Sequence, residues 1–255
     1  MPVEIITLTA RSDNYAYLVH DQETGETATI DAPEAAPIIA ALDARGWTLS
    51  QIWLTHHHTD HTEYVDQLRN RYGAKVVGHA KDAARLPSLD LAVEEGDTVA
   101  LGASEAVVLD VSGHTIGHIA YHMPAEKAAF TADSLMALGC GRVFEGTHAM
   151  MWESLSKFLS MDPETQIYSG HNYGKANGAF ALSIEPQNQA LKDRIAAIEA
   201  ADASGTPICP ATLATELATN PFLRATEPGV KAAVGLADAD DAGVFAEVRR
   251  RKDAF

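Results

Sequence analysis

The chain has little cysteine: 2 residues, Cys140 and Cys209, in a length of 255. Two cysteines do not make a disulfide framework, although a single bridge between them stays open at this level. No apolar run approaches the ~20 residues that span a bilayer, so no membrane helix is expected. Positive charge is scarce as well. With 19 basic against 35 acidic side chains, the formal net charge is −16. That sign argues against nonspecific nucleic-acid binding, which depends on lysine and arginine neutralising phosphates. It fits an ordinary acidic surface that keeps a protein in solution. The start, Met1-Pro2-Val3-Glu4-Ile5-Ile6, lacks the basic residues and apolar stretch of a secretory signal. A cytoplasmic, reducing location is the expectation.

What is present is a core and a histidine cluster. At 46% apolar the chain can bury a substantial interior, as one large domain or two unequal ones. After the apolar run Ile52-Trp53-Leu54 comes Thr55-His56-His57-His58-Thr59-Asp60-His61. Neutral imidazole and carboxylate are ligands that zinc, iron and manganese accept. A strand running into a loop aims His56 and His58 the same way, because side chains alternate along an extended chain. His57 then points away. Asp60 and His61 lie around the corner, where a helix can begin, so one segment can feed two metal ions. The cluster is internal and interrupted by threonine and aspartate, unlike a purification tag.

Further candidates follow later strands. His114 sits in Ser112-Gly113-His114-Thr115, Asp133 in Thr131-Ala132-Asp133-Ser134, and His171 in Ser169-Gly170-His171-Asn172. Loops at strand ends are where a rigid scaffold presents reactive groups. His118 reads as a neighbour of a ligand or a packing residue, and His20, His79, His122 and His148 as surface or packing residues.

Short strands (4–8, 14–20, 27–31, 51–55, 75–78, 98–101, 106–111, 119–123 and 128–132) interleave with helices over 35–45, closed by Gly46, and 62–71, closed by Gly73. This order suits a layered α/β domain. After about Tyr173 strands fade and helices over 187–200, 212–218 and 242–251 take over. The basic cluster Arg249-Arg250-Arg251-Lys252 is favourable charge at a helix C-terminus or an anion site.

These motifs resemble the metallo-β-lactamase superfamily and, within it, the glyoxalase II (hydroxyacylglutathione hydrolase) family. The resemblance runs essentially end to end. It includes Gly139-Cys140-Gly141-Arg142-Val143-Phe144-Glu145-Gly146-Thr147, Asn220-Pro221-Phe222-Leu223-Arg224 and the C-terminal Val248–Asp253 segment. These are more specific than the metal motif, which many superfamily members share. The resemblance implies an αββα sandwich over 1–173 and a small all-α substrate-binding domain over 174–255. It implies two divalent ions, zinc or alternatively iron or manganese. His56, His58 and His114 would hold one, Asp60, His61 and His171 the other, and Asp133 would bridge them.

The activity implied is thioester hydrolysis of S-(2-hydroxyacyl)glutathione, S-lactoylglutathione giving D-lactate and glutathione, the second step of methylglyoxal detoxification. Metal coordination lowers the pKa of bound water from about 15.7 toward 7, which suits such a reaction. The resemblance makes Asp60 and Asp133 the catalytic carboxylates, with Asp60 expected to orient the nucleophile. Arg142, Arg249 and Lys252 would meet the glutathione carboxylates, and Tyr173 its backbone. The family position at Arg142 also takes lysine, and that at Phe144 takes tyrosine; Phe144 forgoes a hydroxyl contact. Cys140 and Cys209 read as packing residues. The protein is expected to act as a monomer without nucleic-acid or membrane partners. The rival readings are a mononuclear-iron glutathione persulfide dioxygenase, which needs no complete second metal site, and a lactonase or β-lactamase-type hydrolase, which leaves the Gly-Cys-Gly-Arg segment and basic tail unexplained.

Overall fold

The computed structural model describes residues 3–255; Met1 and Pro2 lie outside the described residues. It contains two compact units. One takes in the chain to Asp110 together with Gly117–Thr131, the other Val111–Ile116 together with Ala132–Phe255.

The first unit holds a six-stranded sheet in the order β1 (Val3–Ala10), β2 (Asn14–Asp21), β3 (Thr27–Ile30), β4 (Gln51–Trp53), β5 (Lys75–His79) and β6 (Leu91–Val93). β1 to β3 are antiparallel, and β3 to β6 run parallel. Parallel neighbours need crossover connections. α1 (Ala35–Arg45) supplies the first, and α2 (Thr59–Thr62) with α3 (Val65–Tyr72) the second. A second, antiparallel set follows: β7 (Thr98–Leu101), β8 (Ser104–Asp110), β9 (Ile119–Met123) and β10 (Ala128–Ala132).

Alternation along the strands explains the layering. Ala16, Leu18, Ile52 and Leu54 pack with Ile38 and Leu42 of α1 and Val65 and Leu68 of α3. Their neighbours face the other way: Tyr17 meets Phe130 at 5.7 Å between ring centres, and Trp53 meets Tyr121 at 5.0 Å. The first sheet thus has helices on one face and the second strand set on the other, and β2 is buried almost throughout, as a doubly covered sheet requires. α1 has the bounds its periodicity predicts. Gly46 closes it at φ 67° and donates to the Leu42 and Asp43 carbonyls. The predicted helix 62–71 is instead two pieces. Ala32 accepts from Tyr64 N and donates to the His61 carbonyl, which pulls the backbone out of helical register between them.

The second unit holds the short pair β11 (Leu135–Met136) and β12 (Gly139–Cys140), then α4 (His148–Ser156), and the pair β13 (Gln166–Ser169) and β14 (Ala211–Thr212). The rest is helical: α5 (Gly174–Ile184), α6 (Gln189–Ser204), α7 (Leu213–Thr219), α8 (Pro228–Ala233) and α9 (Asp241–Ala254). Asn188, Thr212 and Asp240 cap α6, α7 and α9 by accepting an N–H from the first turn. The rings of Trp152, Phe245, Phe222 and Phe180 form a continuous chain in its core. Among the described residues no helix is long and apolar enough to cross a membrane.

Asp21 ties the turn after β2 to the β7–β8 turn. Burial alone would raise its carboxyl. The N–H groups of Thr24, Ala103 and Glu23 outweigh burial and hold it below its ordinary value. A carboxylate with a depressed folded pKa stabilises above its unfolded pKa and ceases to as pH falls through the folded one. Asp21→Asn therefore costs about 1–3 kcal/mol near neutral pH, from weakened charge-assisted hydrogen bonds. Thermal melts should show that gap at neutral pH and its closure in strong acid.

Candidate metal-binding site

β4 ends at Trp53, and residues 54–58 run without regular structure until α2 begins at Thr59. This loop carries the histidine cluster. The ligand atoms of His56 and His58, of His56 and His61, and of Asp60 and His61 lie within 4.8 Å of one another. His56 Nε2 is 3.1 Å from His58 Nδ1, and His61 Nε2 is 3.7 Å from Asp60 Oδ2. His57 turns to Asp82, Nδ1 to Oδ2 at 3.1 Å, while its ring lies edge-on to that of His58 with centres 5.0 Å apart. His118 stacks on His56 with ring centres 4.6 Å apart.

A residue without a predicted role organises this loop. Asp31 follows β3 with φ 58°, and its carboxylate is buried. Its Oδ1 accepts from Thr55 N at 2.9 Å; its Oδ2 accepts from Thr55 Oγ1 at 2.8 Å and His61 Nδ1 at 2.7 Å. The Thr55 hydroxyl, having donated to Asp31, can only accept from His56 Nδ1 at 3.0 Å. One carboxylate thus favours the Nδ1–H tautomer of both rings and puts each lone pair on Nε2, the atom that faces His58 in His56 and Asp60 in His61. Asn14 Nδ2 holds Asp60 through both its carbonyl and its Oδ2, at 3.1 Å each.

The second unit repeats the arrangement. His114 Nδ1 donates to the Arg142 carbonyl at 2.7 Å, so in the neutral ring Nε2 carries the lone pair. That Nε2 faces Asp133 Oδ2 at 3.5 Å, and His171 Nε2 faces the same oxygen at 3.3 Å. Lone pairs of imidazole and carboxylate confronting one another repel unless a cation or proton lies among them. The donor set of nitrogen and oxygen therefore fits a divalent metal ion. Gly141 lets the loop close on this cluster: a Cβ there would collide with the Asp133 carbonyl and the His114 ring.

The predicted substrate residues are all in the second unit. Phe144 is 62% exposed and Tyr173 40%; their rings lie 5.3 Å from His114 and 4.8 Å from His171 respectively. Arg249 is buried. It donates to the Cys140 carbonyl at 3.0 Å, pairs with Asp253 at 2.7 Å and lies over the Phe222 ring at 5.1 Å. Lys252 donates to the Ala176 carbonyl at 3.0 Å and sits over Phe180 and Phe255. Burial, then the positive charges of Arg249 and Arg142, lower its pKa. The Asp253 carboxylate, paired with Arg249, acts in the other direction. Both cysteines are free thiols. Burial pushes Cys140 up to about 11 against the pull of Arg249, and raises Cys209, so neither is a nucleophile at neutral pH.

Comparison with known proteins agrees. Residues 15–171 match the model of the metallo-β-lactamase superfamily, and residues 172–255 that of the hydroxyacylglutathione hydrolase C-terminus. A hydroxyacylglutathione hydrolase of Ruegeria pomeroyi is 58% identical over 255 residues, covering 100% of both chains. Among solved structures, ETHE1 from Myxococcus xanthus aligns with TM-score 0.66 at 24% identity, over 100% of this chain and 99% of that one. TTHA1623 in a di-iron-bound form aligns with TM-score 0.62 at 25% identity, over 86% of this chain and 100% of that one. The chain therefore has the metallo-β-lactamase fold, followed by a helical segment of the hydroxyacylglutathione hydrolase type. It belongs to the hydroxyacylglutathione hydrolases, the glyoxalase II family of thioester hydrolases. The fold and the histidine–aspartate clusters imply divalent metal ions.

Asp31→Asn tests the tautomer argument. The new amide can present a donor to His61 Nδ1 and drive the proton to Nε2. Metal affinity is expected to fall about 10–100-fold, read by metal analysis after dialysis against a chelator, with circular dichroism unchanged.

Proposed function

We propose that the chain hydrolyses the thioester of S-(2-hydroxyacyl)glutathione, with S-lactoylglutathione as substrate and D-lactate and glutathione as products, as the second step of methylglyoxal detoxification. The observation that carries the substrate is the placing of basic side chains in a chain of net charge −16: Arg249 and Lys252 lie one turn apart on α9, and Arg249 holds the carbonyl of Cys140, two residues before Arg142. Asp253 answers part of that charge; the remainder suits an anion, and glutathione brings two carboxylates. Arginine offers them a forked donor and lysine a mobile point charge.

The reading assigns seven ligands to two divalent ions, zinc or else iron or manganese: His56, His58 and His114 to one, Asp60, His61 and His171 to the other, with Asp133 between them. When bound, the ions would supply a nucleophile at neutral pH and polarise the thioester carbonyl. The protein's own part is support and orientation. Asp31, Thr55 and the Arg142 carbonyl keep the ligand nitrogens deprotonated. Asp60, held by Asn14, orients the attacking water. Arg142 and Lys252 draw in the glutathione carboxylates, Arg249 adding the donors that Cys140 and Asp253 leave open, and the exposed Tyr173 reaches the glutathione backbone. Residues 1–173 form the catalytic part and 174–255 the substrate-binding part. The same reading makes the protein a cytoplasmic monomer with no nucleic-acid partner; two free thiols suit a reducing compartment.

The test is hydrolysis of S-lactoylglutathione by purified protein, with metal measured on the same sample. Turnover with nearly two ions per chain is expected, and changing Arg249 and Lys252 together to alanine should raise KM by about tenfold or more. A loaded protein without turnover would move the assignment to another hydrolase of this fold. One iron per chain with oxygen consumption on glutathione persulfide would move it to a dioxygenase. Phe144→Tyr should lower KM by about two- to tenfold, the equivalent of one added hydrogen bond of about 0.5–1.5 kcal/mol.

A further inference from the structure

The segment Asn220-Pro221-Phe222-Leu223-Arg224 has no part in the chemistry above, yet Asn220 is fully buried. Its Nδ2 lies within hydrogen-bond distance of three acceptors: the Met136 carbonyl at 3.1 Å, the Gly139 carbonyl at 2.9 Å and Glu216 Oε2 at 3.0 Å. Its Oδ1 accepts from Phe222 N at 3.1 Å. One helical turn earlier on α7, the buried Glu216 accepts from Leu138 N at 2.9 Å through the same Oε2. These two side chains, four residues apart, therefore grip the turn between β11 and β12 from both its carbonyls and its amide. Leu138 needs that grip. Its φ of 57° is left-handed, a conformation a branched side chain keeps only when its surroundings enforce it.

The turn leads straight into the substrate loop. Cys140, next after Gly139, gives its carbonyl to Arg249; Gly141 N donates to the Asp133 carbonyl at 3.0 Å; and the Arg142 carbonyl orients His114. Phe222, two residues beyond Asn220, lies under the Arg249 guanidinium. The same short segment thus contacts the loop and the cation bound to it.

We propose that Glu216 and Asn220 are positioning residues, a side-chain clamp on the Met136–Gly139 turn that sets Arg142 and Arg249 for the glutathione carboxylates. The consequence for substrate rests on the thioesterase reading above; the clamp itself does not. Burial pushes the Glu216 carboxyl up, against Leu138 N–H, Arg194 and Asn220, and its Oε1 has no hydrogen-bond partner among the described residues. Glutamine can therefore stand in, with its carbonyl facing Leu138 and its amide in the Oε1 position.

The experiment compares metal-loaded Glu216→Gln, Glu216→Ala and Asn220→Asp. Aspartate keeps the acceptor for Phe222 N and loses the donor to the turn. With S-lactoylglutathione, Asn220→Asp and Glu216→Ala should raise KM about tenfold with kcat within about threefold, and Glu216→Gln should stay within about twofold of the parent. Hydrogen exchange at the Leu138 amide should quicken at least about tenfold in Glu216→Ala and not in Glu216→Gln. An unchanged KM in Asn220→Asp, or losses confined to melting temperature and kcat, would overturn the positioning role. Undiminished Leu138 protection in Glu216→Ala would overturn the clamp. If the parent protein does not hydrolyse the thioester, the functional reading fails and the Leu138 comparison alone decides the clamp. If Glu216→Ala does not fold, the same comparison is made with Asn220→Asp.

Discussion

The location of one proton on each imidazole governs the chemistry this chain can support. A histidine binds a metal through the nitrogen that lacks hydrogen, so the other nitrogen must be given an acceptor. In the first unit a single buried carboxylate does this for two rings, His61 directly and His56 through the Thr55 hydroxyl. In the second unit a main-chain carbonyl does it for His114. The difference matters. Asp31 brings formal charge to its bond with His61, whereas the Arg142 carbonyl couples His114 to the Gly139–Thr147 loop. A movement of that loop is therefore felt at the His114 ring.

The histidine–aspartate cluster was legible in the sequence because its information is local. His56, His58, Asp60 and His61 fall within six positions, and their type and spacing suffice. Asp31 was not legible in its role: it reads as a strand end, and only the parallel pairing of β3 with β4 brings it beside Thr55. The Glu216–Asn220 grip spans 78 to 84 residues of chain, and no pattern announces it. Among elements, α5 escaped because Gly174 and Gly178 weaken its helical propensity. Packing against α6 compensates, since side chains at those positions would run into Ile198, Ile208 and Ile195. β11 and β12 have two residues each, too few for any period. α1 and β9, with clear periodicity and clear ends, have the bounds expected.

The charge distribution has a logic of its own. An acidic surface slows the approach of an anionic ligand, because long-range forces push it away. Screening at physiological ionic strength confines that repulsion to about 8 Å. On the proposed thioesterase reading, Arg142, Arg249 and Lys252 act inside that distance, with Asp253 already countering part of their charge. Selection is thereby left to close contact.

The Asn220 and Arg249 side chains also bear on heredity. Two family models meet at residues 171 and 172 of this chain. The loop carbonyls of Met136, Gly139 and Cys140 lie before that seam, and the side chains that satisfy them lie after it. Recombination at the seam with a foreign helical segment would strand those carbonyls, in a protein whose histidine and aspartate clusters were all intact. The two segments are separable as patterns but matched in this chain, the loop's carbonyls lying in one and the side chains that hold them in the other.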